Sequence, residues 1–141
     1  MTAYTDTSFL VSLYLTDSNS HIADRMIRGA TYFPLTPLHR AEWLHATGQN
    51  VFRGAITESR SQELRALFER DTESGLWRDT AMPEQAFELC ADLARRYGTK
   101  FGMRTLDSLH VASALELKAD RFWTFDERQG KLAKAMGLKV S

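Results

Sequence analysis

Four acidic residues stand where the sequence passes from one structural element to another: Asp6, Glu42, Asp107 and Asp126. Asp6 follows a short strand-like stretch, AYT, and Asp126 follows RFWTF at 121–125, which is rich in aromatic residues that favour strands. Asp107 lies in the first turn of a helix for which the sequence offers Thr105 as N-cap. This helix is apolar on nearly every side, so we expect it to be buried and its acid to have a partner.

Carboxylates that meet at one place cannot all stay ionised unless a cation neutralises them, and without metal their like charges should raise one another's pKa values. Oxygen ligands of this kind select Mg²⁺ or Mn²⁺ rather than zinc. A carboxylate-held Mg²⁺ that keeps several waters is suited to activating water and to stabilising charge on a phosphodiester. The four acids therefore predict metal-dependent phosphoester hydrolysis, provided that the fold brings them together.

The elements around the acids alternate between strand and helix patterns, which predicts an α/β fold. We expect a three-layer α/β/α sandwich with a central parallel sheet of four to five short strands, and right-handed crossovers. The predicted strands lie at 3–5, 31–35, 76–80, 121–125 and 138–140. The predicted helices start near Thr7, cover 21–30, 37–52, 57–73, 83–97 (ended by Gly98) and 105–117, and follow Asp126 as far as Gly137. In such sheets a ligand site lies beyond the carboxyl ends of the strands, where all four acids can converge.

Length and composition favour one soluble globular domain over residues 1–141, with 43% hydrophobic and 26% charged residues. The 18 Lys and Arg residues equal the 18 Asp and Glu residues, so nucleic-acid binding would require a local basic patch. The single cysteine, Cys90, and the lack of a leader-like N-terminus favour a reducing cytoplasm. No apolar run approaches the roughly 20 residues of a membrane helix.

Several segments together resemble the PIN-domain ribonucleases, specifically VapC-type toxins of toxin-antitoxin pairs. They are the N-terminal strand ending in DTS, the acid in the helix after the second strand, RTLDSLHVASA, TFD, and the trailing LA…GLKV. The resemblance covers essentially the whole chain and is most specific over 104–140. Ser108 stands where the family usually has alanine, a change between two small residues.

This resemblance implies that Asp6, Glu42, Asp107 and Asp126 form an acidic site for Mg²⁺ or Mn²⁺, and that Ser8 and Thr124 support it through hydrogen bonds. It also implies an RNA substrate, products with 3′-hydroxyl and 5′-phosphate ends, a homodimer, and neutralisation by a small cognate antitoxin that covers the site. In the mechanism that we expect, water attacks a backbone phosphate, and Glu42 either binds a second metal ion or orients the water.

Candidate phosphate contacts are basic residues near the predicted site, although a solvated charged surface explains them about as well: Arg40, Arg95, Arg96, Lys100 and Arg104. His110 lies three residues after Asp107 and shares its helix face. Because the other candidate ligands are all oxygen, we favour a hydrogen-bonded core histidine at this position. The same interpretation is favoured for His39 and His45.

The acids are also compatible with other roles and other protein classes. Asp6 and Asp126 could each be only a helix N-cap. A haloacid-dehalogenase phosphatase would need a second Asp at position 8, which is Ser, and a receiver domain would need its acid on a middle strand with a late Lys. The stronger alternative is a PIN-fold module that binds RNA or regulates and no longer cuts it.

Overall fold

Short parallel strands alternate with helices in the computed structural model, which describes residues 1–30 and 32–141. The strands are β1 (Ala3–Thr5), β2 (Phe33–Leu35), β3 (Trp77–Asp79), β4 (Arg121–Trp123) and β5 (Lys139–Val140). The helices are α1 (Thr7–Tyr14), α2 (Ser20–Met26), α3 (Pro37–Phe52), α4 (Glu58–Glu73), α5 (Ala86–Phe101), α6 (Thr105–Glu116) and α7 (Glu127–Ala135), and a 3₁₀ helix at Ile27–Gly29 follows α2. Position 31 of the second predicted strand lies outside the described residues.

The strands form a parallel arrangement in the order β3, β2, β1, β4, β5. Backbone hydrogen bonds pair β1 with β4, β4 with β5, and β2 with β3, each pair in parallel. A parallel bridge between Thr2 and Tyr32, with Ala3 N–H donating to the Tyr32 carbonyl at 3.0 Å, joins β2 to β1. The carboxyl ends of all the strands therefore lie at one edge, as an α/β fold requires.

Two apolar cores lie on opposite faces of this sheet. Successive strand residues alternate between them, since Ala3 and Trp123 belong to the first core, and Tyr4 and Phe122 to the second. Helices α1 to α4 supply the first core with Phe9, Leu10, Trp43, Leu64 and Phe68. Helices α5 to α7 supply the second with Cys90, Leu93, Leu109, Val111 and Leu132. The predicted three-layer α/β/α architecture is confirmed.

Helix α6 is the interior helix that the sequence predicts, because its residues from 108 to 114 are all buried. It begins one residue earlier than expected, with Arg104 rather than Thr105 in the N-cap position. In the described part of the chain, none of the helices combines the length and the apolar character needed to cross a membrane.

The end of β4 and the bounds of α5 also differ from prediction. Strand β4 ends at Trp123, so Thr124 and Phe125 belong to the connection that leads to α7. Helix α5 begins at Ala86 and continues through Gly98 to Phe101, where Gly102 ends it in a left-handed conformation with φ of 64°. Glycine ends a helix when it adopts positive φ, and Gly98 does not adopt it.

Candidate functional site

Asp6 is the N-cap of α1 and is completely buried. Its Oδ1 accepts hydrogen bonds from the backbone N–H of Phe9 at 2.9 Å and from the Ser8 hydroxyl at 2.6 Å, while its Oδ2 accepts one from the Thr124 hydroxyl. Burial raises the pKa of Asp6, and these hydrogen bonds oppose the rise only in part. A cap needs contact with one backbone N–H, so the hydroxyl donors and the complete burial exceed what capping requires.

Thr124 connects Asp6 to Asp126. Its hydroxyl donates to Asp6 and accepts the backbone N–H of Asp126 at 2.8 Å, while Ser8 Oγ accepts the N–H of Phe125 at 3.0 Å. Asp126 is the N-cap of α7, and its Oδ1 accepts the N–H of Gln129 at 2.9 Å. The structure thus places Ser8 and Thr124 against Asp6, where the sequence expects them, and holds the start of α7 next to the end of β1.

Asp107 lies in the first turn of α6 and is largely buried, with 14% of its side chain exposed. Its Oδ2 accepts the backbone N–H of Arg104 at 3.2 Å, and its Oδ1 accepts a hydrogen bond from Gln129 Nε2 at 3.0 Å. Gln129 therefore bridges Asp107 and Asp126. Sequence reasoning missed this buried glutamine, and its position three residues after an N-cap Asp is the signal that could have suggested a contact near the helix start.

Glu42 projects from α3 into a hydrogen-bonded group that crosses three elements. Its Oε1 accepts a hydrogen bond from the Thr7 hydroxyl at 2.7 Å and makes a close contact with His110 Nε2. The other ring nitrogen of His110, Nδ1, lies 2.8 Å from the Tyr4 hydroxyl. Burial would raise the pKa of Glu42, but the interactions with His110 and Thr7 outweigh it, so the pKa of Glu42 is lowered.

Glu42 and Asp107 line the same open cleft, about 780 Å³ in volume, between α3 and the start of α6. Thr7, which follows Asp6, also lines it, as do His45 and Arg104. The pKa of Tyr4 is raised mainly by burial, and the charges of Asp6 and Glu42 raise it further. Because Thr7 follows Asp6 directly in the chain, Asp6 lies beside the cleft without lining it.

Each of the four carboxylates accepts hydrogen bonds from protein donors, and the pKa values correct one expectation. The expected rise in pKa occurs for Asp6, but burial and not a neighbouring carboxylate causes it, and the prediction is wrong for Glu42, whose pKa is lowered by hydrogen bonding to His110 and Thr7. Within the described residues, no three His, Cys, Asp or Glu side chains stand close enough to hold a metal ion. The oxygen-only donor set fits a hard divalent cation in chemistry. In this structure each carboxylate accepts hydrogen bonds from protein groups instead.

The five basic candidates differ in their surroundings. Arg40 makes ion pairs with Glu69 at 2.6 Å and Asp79 at 2.9 Å, which hold its guanidinium in a structural contact. Arg104 lines the cleft with 85% of its side chain exposed and lies 3.6 Å from Asp107. The others lie on α5: Arg95 and Arg96 are 3.8 and 3.7 Å from Asp92, and Lys100 lies over the ring of Phe101. Of the five, Arg104 has the position that best suits contact with a phosphate in the cleft, whereas Arg40 has a structural role.

His39 is buried and belongs to the fold. Its Nδ1 accepts the backbone N–H of Thr36 at 3.0 Å, so Nε2 carries the proton and donates to the Thr5 carbonyl at 2.7 Å. Burial lowers the pKa of His39 to about 3, which keeps the ring neutral. His110 is buried too, but unlike His39 it contacts one of the four acids. His45 lines the cleft, and its Nδ1 donates to the Ala41 carbonyl at 2.8 Å.

Three solved structures align with this chain over nearly its whole length. Mycobacterium tuberculosis VapC20, a toxin that cleaves the sarcin-ricin loop, aligns with a TM-score of 0.70 at 15% identity over 96% of this chain and 95% of its own. VapBC2 of Rickettsia felis, solved with a DNA fragment from its promoter, aligns with a TM-score of 0.70 at 12% identity over 100% and 98%. FitAcB of Neisseria gonorrhoeae aligns with a TM-score of 0.67 at 16% identity over 98% and 95%.

Sequence comparison with curated proteins gives no match. The PIN domain family model, in contrast, matches residues 3–135. That span runs from the first residue of β1 to the last residue of α7, so it includes all four acids and every residue that hydrogen-bonds to them. The chain belongs to the PIN domain family.

Proposed function

We propose that this protein is a metal-dependent endoribonuclease and the toxin of a VapC-type toxin-antitoxin pair. The observation that carries this proposal is that Glu42 and Asp107, on different helices, line one open cleft while hydrogen bonds connect Asp6, Asp126 and Asp107 beside it. Family membership and the fold shared with RNA-cleaving and antitoxin-bound proteins support it.

Asp6, Asp107 and Asp126 would hold Mg²⁺ or Mn²⁺, with Glu42 completing the site. When bound, the ion supplies an activated water and positive charge for the phosphate that is attacked. Ser8 and Thr124 fix the Asp6 carboxylate by donating to both of its oxygens. Gln129 donates to one oxygen of Asp107, so these donors orient the carboxylates of Asp6 and Asp107.

The cleft has room for a nucleotide of a single strand, and Arg104 at its edge offers a charge for a backbone phosphate. Hydrolysis with attack by water would leave 3′-hydroxyl and 5′-phosphate ends, as the family resemblance implies. The neutral net charge of the whole chain means that binding depends on this local arrangement.

A protein partner would find exposed apolar residues beside the cleft. Phe52 is 93% exposed and Leu44 is 50% exposed, both on α3, the helix that carries Glu42. We propose that a cognate antitoxin covers this helix and places an Arg or Lys among the carboxylates, because a guanidinium can bind a carboxylate bidentately and exclude a metal ion. Homodimer formation and residence in the cytoplasm are parts of the same proposal.

The alternative function is an RNA-binding module that does not cut. It is favoured by the finding that, among the described residues, no three His, Cys, Asp or Glu side chains stand close enough to hold a metal ion. Incubating purified protein with end-labelled single-stranded RNA, in Mn²⁺ or in EDTA, separates the two functions. We expect fragments with 5′-phosphate ends in Mn²⁺ alone. RNA that is retained on the protein but stays intact in Mn²⁺ would support the alternative.

A further inference from the structure

One carboxylate oxygen of Glu42 is held by two groups from two other helices. Thr7 Oγ, at the start of α1, donates to Oε1 at 2.7 Å, and His110 Nε2 from the interior helix α6 contacts the same atom. The two groups are themselves 3.2 Å apart. Three elements that are distant in sequence therefore meet at one oxygen atom.

His110 is in turn held at its second nitrogen by the sheet. The Tyr4 hydroxyl of β1 lies 2.8 Å from Nδ1, and both side chains are at most 1% exposed. A buried ring with a partner at each nitrogen has one orientation, so Nε2 stays directed at Glu42. This contact chain runs from the central strand through α6 to the cleft.

Glu42 itself remains partly open, with 22% of its side chain exposed. Its Oε2 makes no hydrogen bond with the residues that the structure describes, whereas Oε1 is occupied twice. A glutamate has a long flexible side chain, and holding it at one oxygen leaves the other to face the cleft. A surface glutamate on α3 would need neither donor, and a core histidine would need no carboxylate.

We propose that Thr7 and His110 are positioning residues, which orient Glu42 so that its second oxygen is presented to the cleft, and that Tyr4 fixes His110 for this task. The inference rests on the proposed function, because presenting an oxygen matters only if the cleft receives a cation and a substrate. The chemical class of ligand is a hard divalent ion, for which Mn²⁺ is the probe.

The test compares Thr7→Val with Thr7→Ser in the intact chain. Valine keeps the shape of threonine but cannot donate, whereas serine keeps the hydroxyl. Thr47→Val is a matched control, because Thr47 is buried on the same helix as Glu42 but donates to the Leu44 carbonyl instead. Each protein is titrated with Mn²⁺ by calorimetry without RNA, melted in EDTA, and then assayed for kcat and KM on RNA.

Replacing a residue that hydrogen-bonds to a metal ligand typically lowers metal affinity or activity by about 10- to 100-fold. We therefore expect Thr7→Val to weaken Mn²⁺ binding by about 10-fold or more and to lower kcat, while Thr7→Ser and Thr47→Val retain wild-type affinity. His110→Leu should behave as Thr7→Val does, with His110→Gln, which keeps an N–H donor, recovering part of the affinity. This second pair also decides the matter if Thr7→Val does not fold.

The outcomes separate the inference from the function on which it rests. Wild-type affinity and kcat in folded Thr7→Val and His110→Leu would overturn the positioning role and leave the nuclease proposal intact. Equal losses in Thr7→Ser and Thr7→Val would overturn it too, because the hydroxyl would not be the cause. A wild-type protein that neither binds Mn²⁺ nor cleaves RNA would overturn the proposed function and this inference together.

Discussion

The neutral imidazole of His39 makes folding depend on pH. The pKa is about 3 in the folded protein against 6.5 for an ordinary histidine, so the unfolded chain takes up a proton first as the pH falls. The contribution of this group to stability is therefore complete above pH 6.5 and is lost progressively as the pH falls from 6.5 toward 3. The ring is completely buried, so an added proton would place a charge away from water.

His39→Gln tests this dependence, because glutamine at the third position of a helix can accept the Thr36 N–H as a capping residue and does not titrate. Between about pH 6.5 and 5 we expect the free energy of unfolding of the wild type to fall, relative to the variant, by about 1.4 kcal/mol per pH unit. Urea unfolding at several pH values measures the difference. Parallel pH profiles for the two proteins would contradict the assignment.

Asp6 makes stability depend on pH in the opposite direction. Its pKa is raised above the ordinary 3.8 by burial, so the folded protein binds more protons than the unfolded chain just above pH 3.8 and loses stability as the pH rises through that window. At neutral pH the buried charge remains a cost. A divalent ion that binds only the folded state would offset it by mass action.

Asp6→Asn should therefore raise the melting temperature in EDTA at pH 7, by about 2–6 °C if the gain is near 1 kcal/mol. Millimolar Mn²⁺ should raise the melting temperature of the wild type and have much less effect on the variant. Exposed Asp24→Asn is the charge-matched control, for which neither shift is expected. If Asp6 were only a helix cap, Asn would serve about as well and Mn²⁺ would change nothing.

Sequence alone singled out the four acids as candidates, because Asp6, Asp107 and Asp126 stand near the starts of predicted helices and Glu42 lies within the helix after the second strand. The contacts of Thr7, His110 and Gln129 could not be found in this way, since they join side chains that lie 22 to 106 residues apart. Such contacts depend on the rotamers of buried side chains. The causes of the pKa shifts could not be predicted either, because burial decides the direction for Asp6 and hydrogen bonds decide it for Glu42, and neither is visible in the sequence.

Gly98 and Gly102 differ in conformation, and the sequence pattern suggested Gly98 as the end of α5. Gly102 adopts positive φ and ends the helix, whereas Gly98 lies inside it with open space where a Cβ would stand. The φ angle of a glycine cannot be read from the sequence. The helix continues past Gly98, and the rings of Tyr97 and Phe101 stack on either side of that position. The sequence therefore predicted that α5 is a helix but not the residue at which it ends.

We expect Gly102→Ala to destabilise the protein by about 1–2 kcal/mol, because a side chain is strained in the left-handed region. Gly98→Ala should stabilise it by about 0.5–1 kcal/mol through helix propensity. Chemical denaturation of both variants measures these opposite signs. Equal effects of the two substitutions would mean that α5 ends at Gly98 in solution.

At the scale of the whole molecule, alternation of strands and helices was enough to predict the three layers, because parallel strands need crossover helices on both faces. Strand order was not predictable, since no local signal says that β1 pairs with β4, more than a hundred residues later. That pairing brings Thr124 to Asp6 and so assembles the site. The site is thus a product of topology.

The expected homodimer needs an apolar surface apart from the one proposed for the antitoxin. Phe87 on α5 is 63% exposed and does not line the cleft. We expect light scattering on the purified chain to give a mass near twice its 16.1 kDa, in agreement with the dimer that the family resemblance implies. A mass of 16.1 kDa at every concentration tested would refute the dimer and leave the catalytic proposal untouched.

The most direct test of the proposed function is RNA cleavage by Asp107→Asn. Asparagine has nearly the shape of aspartate and can still accept the Gln129 hydrogen bond, so the variant should fold, and its melting curve in EDTA checks this. We expect it to lose Mn²⁺-dependent cleavage of single-stranded RNA by at least about 100-fold, as removal of a ligand that orients the metal would require, while Asp24→Asn cleaves as the wild type does. Retained Mn²⁺-dependent cleavage by folded Asp107→Asn would contradict the assignment of the site.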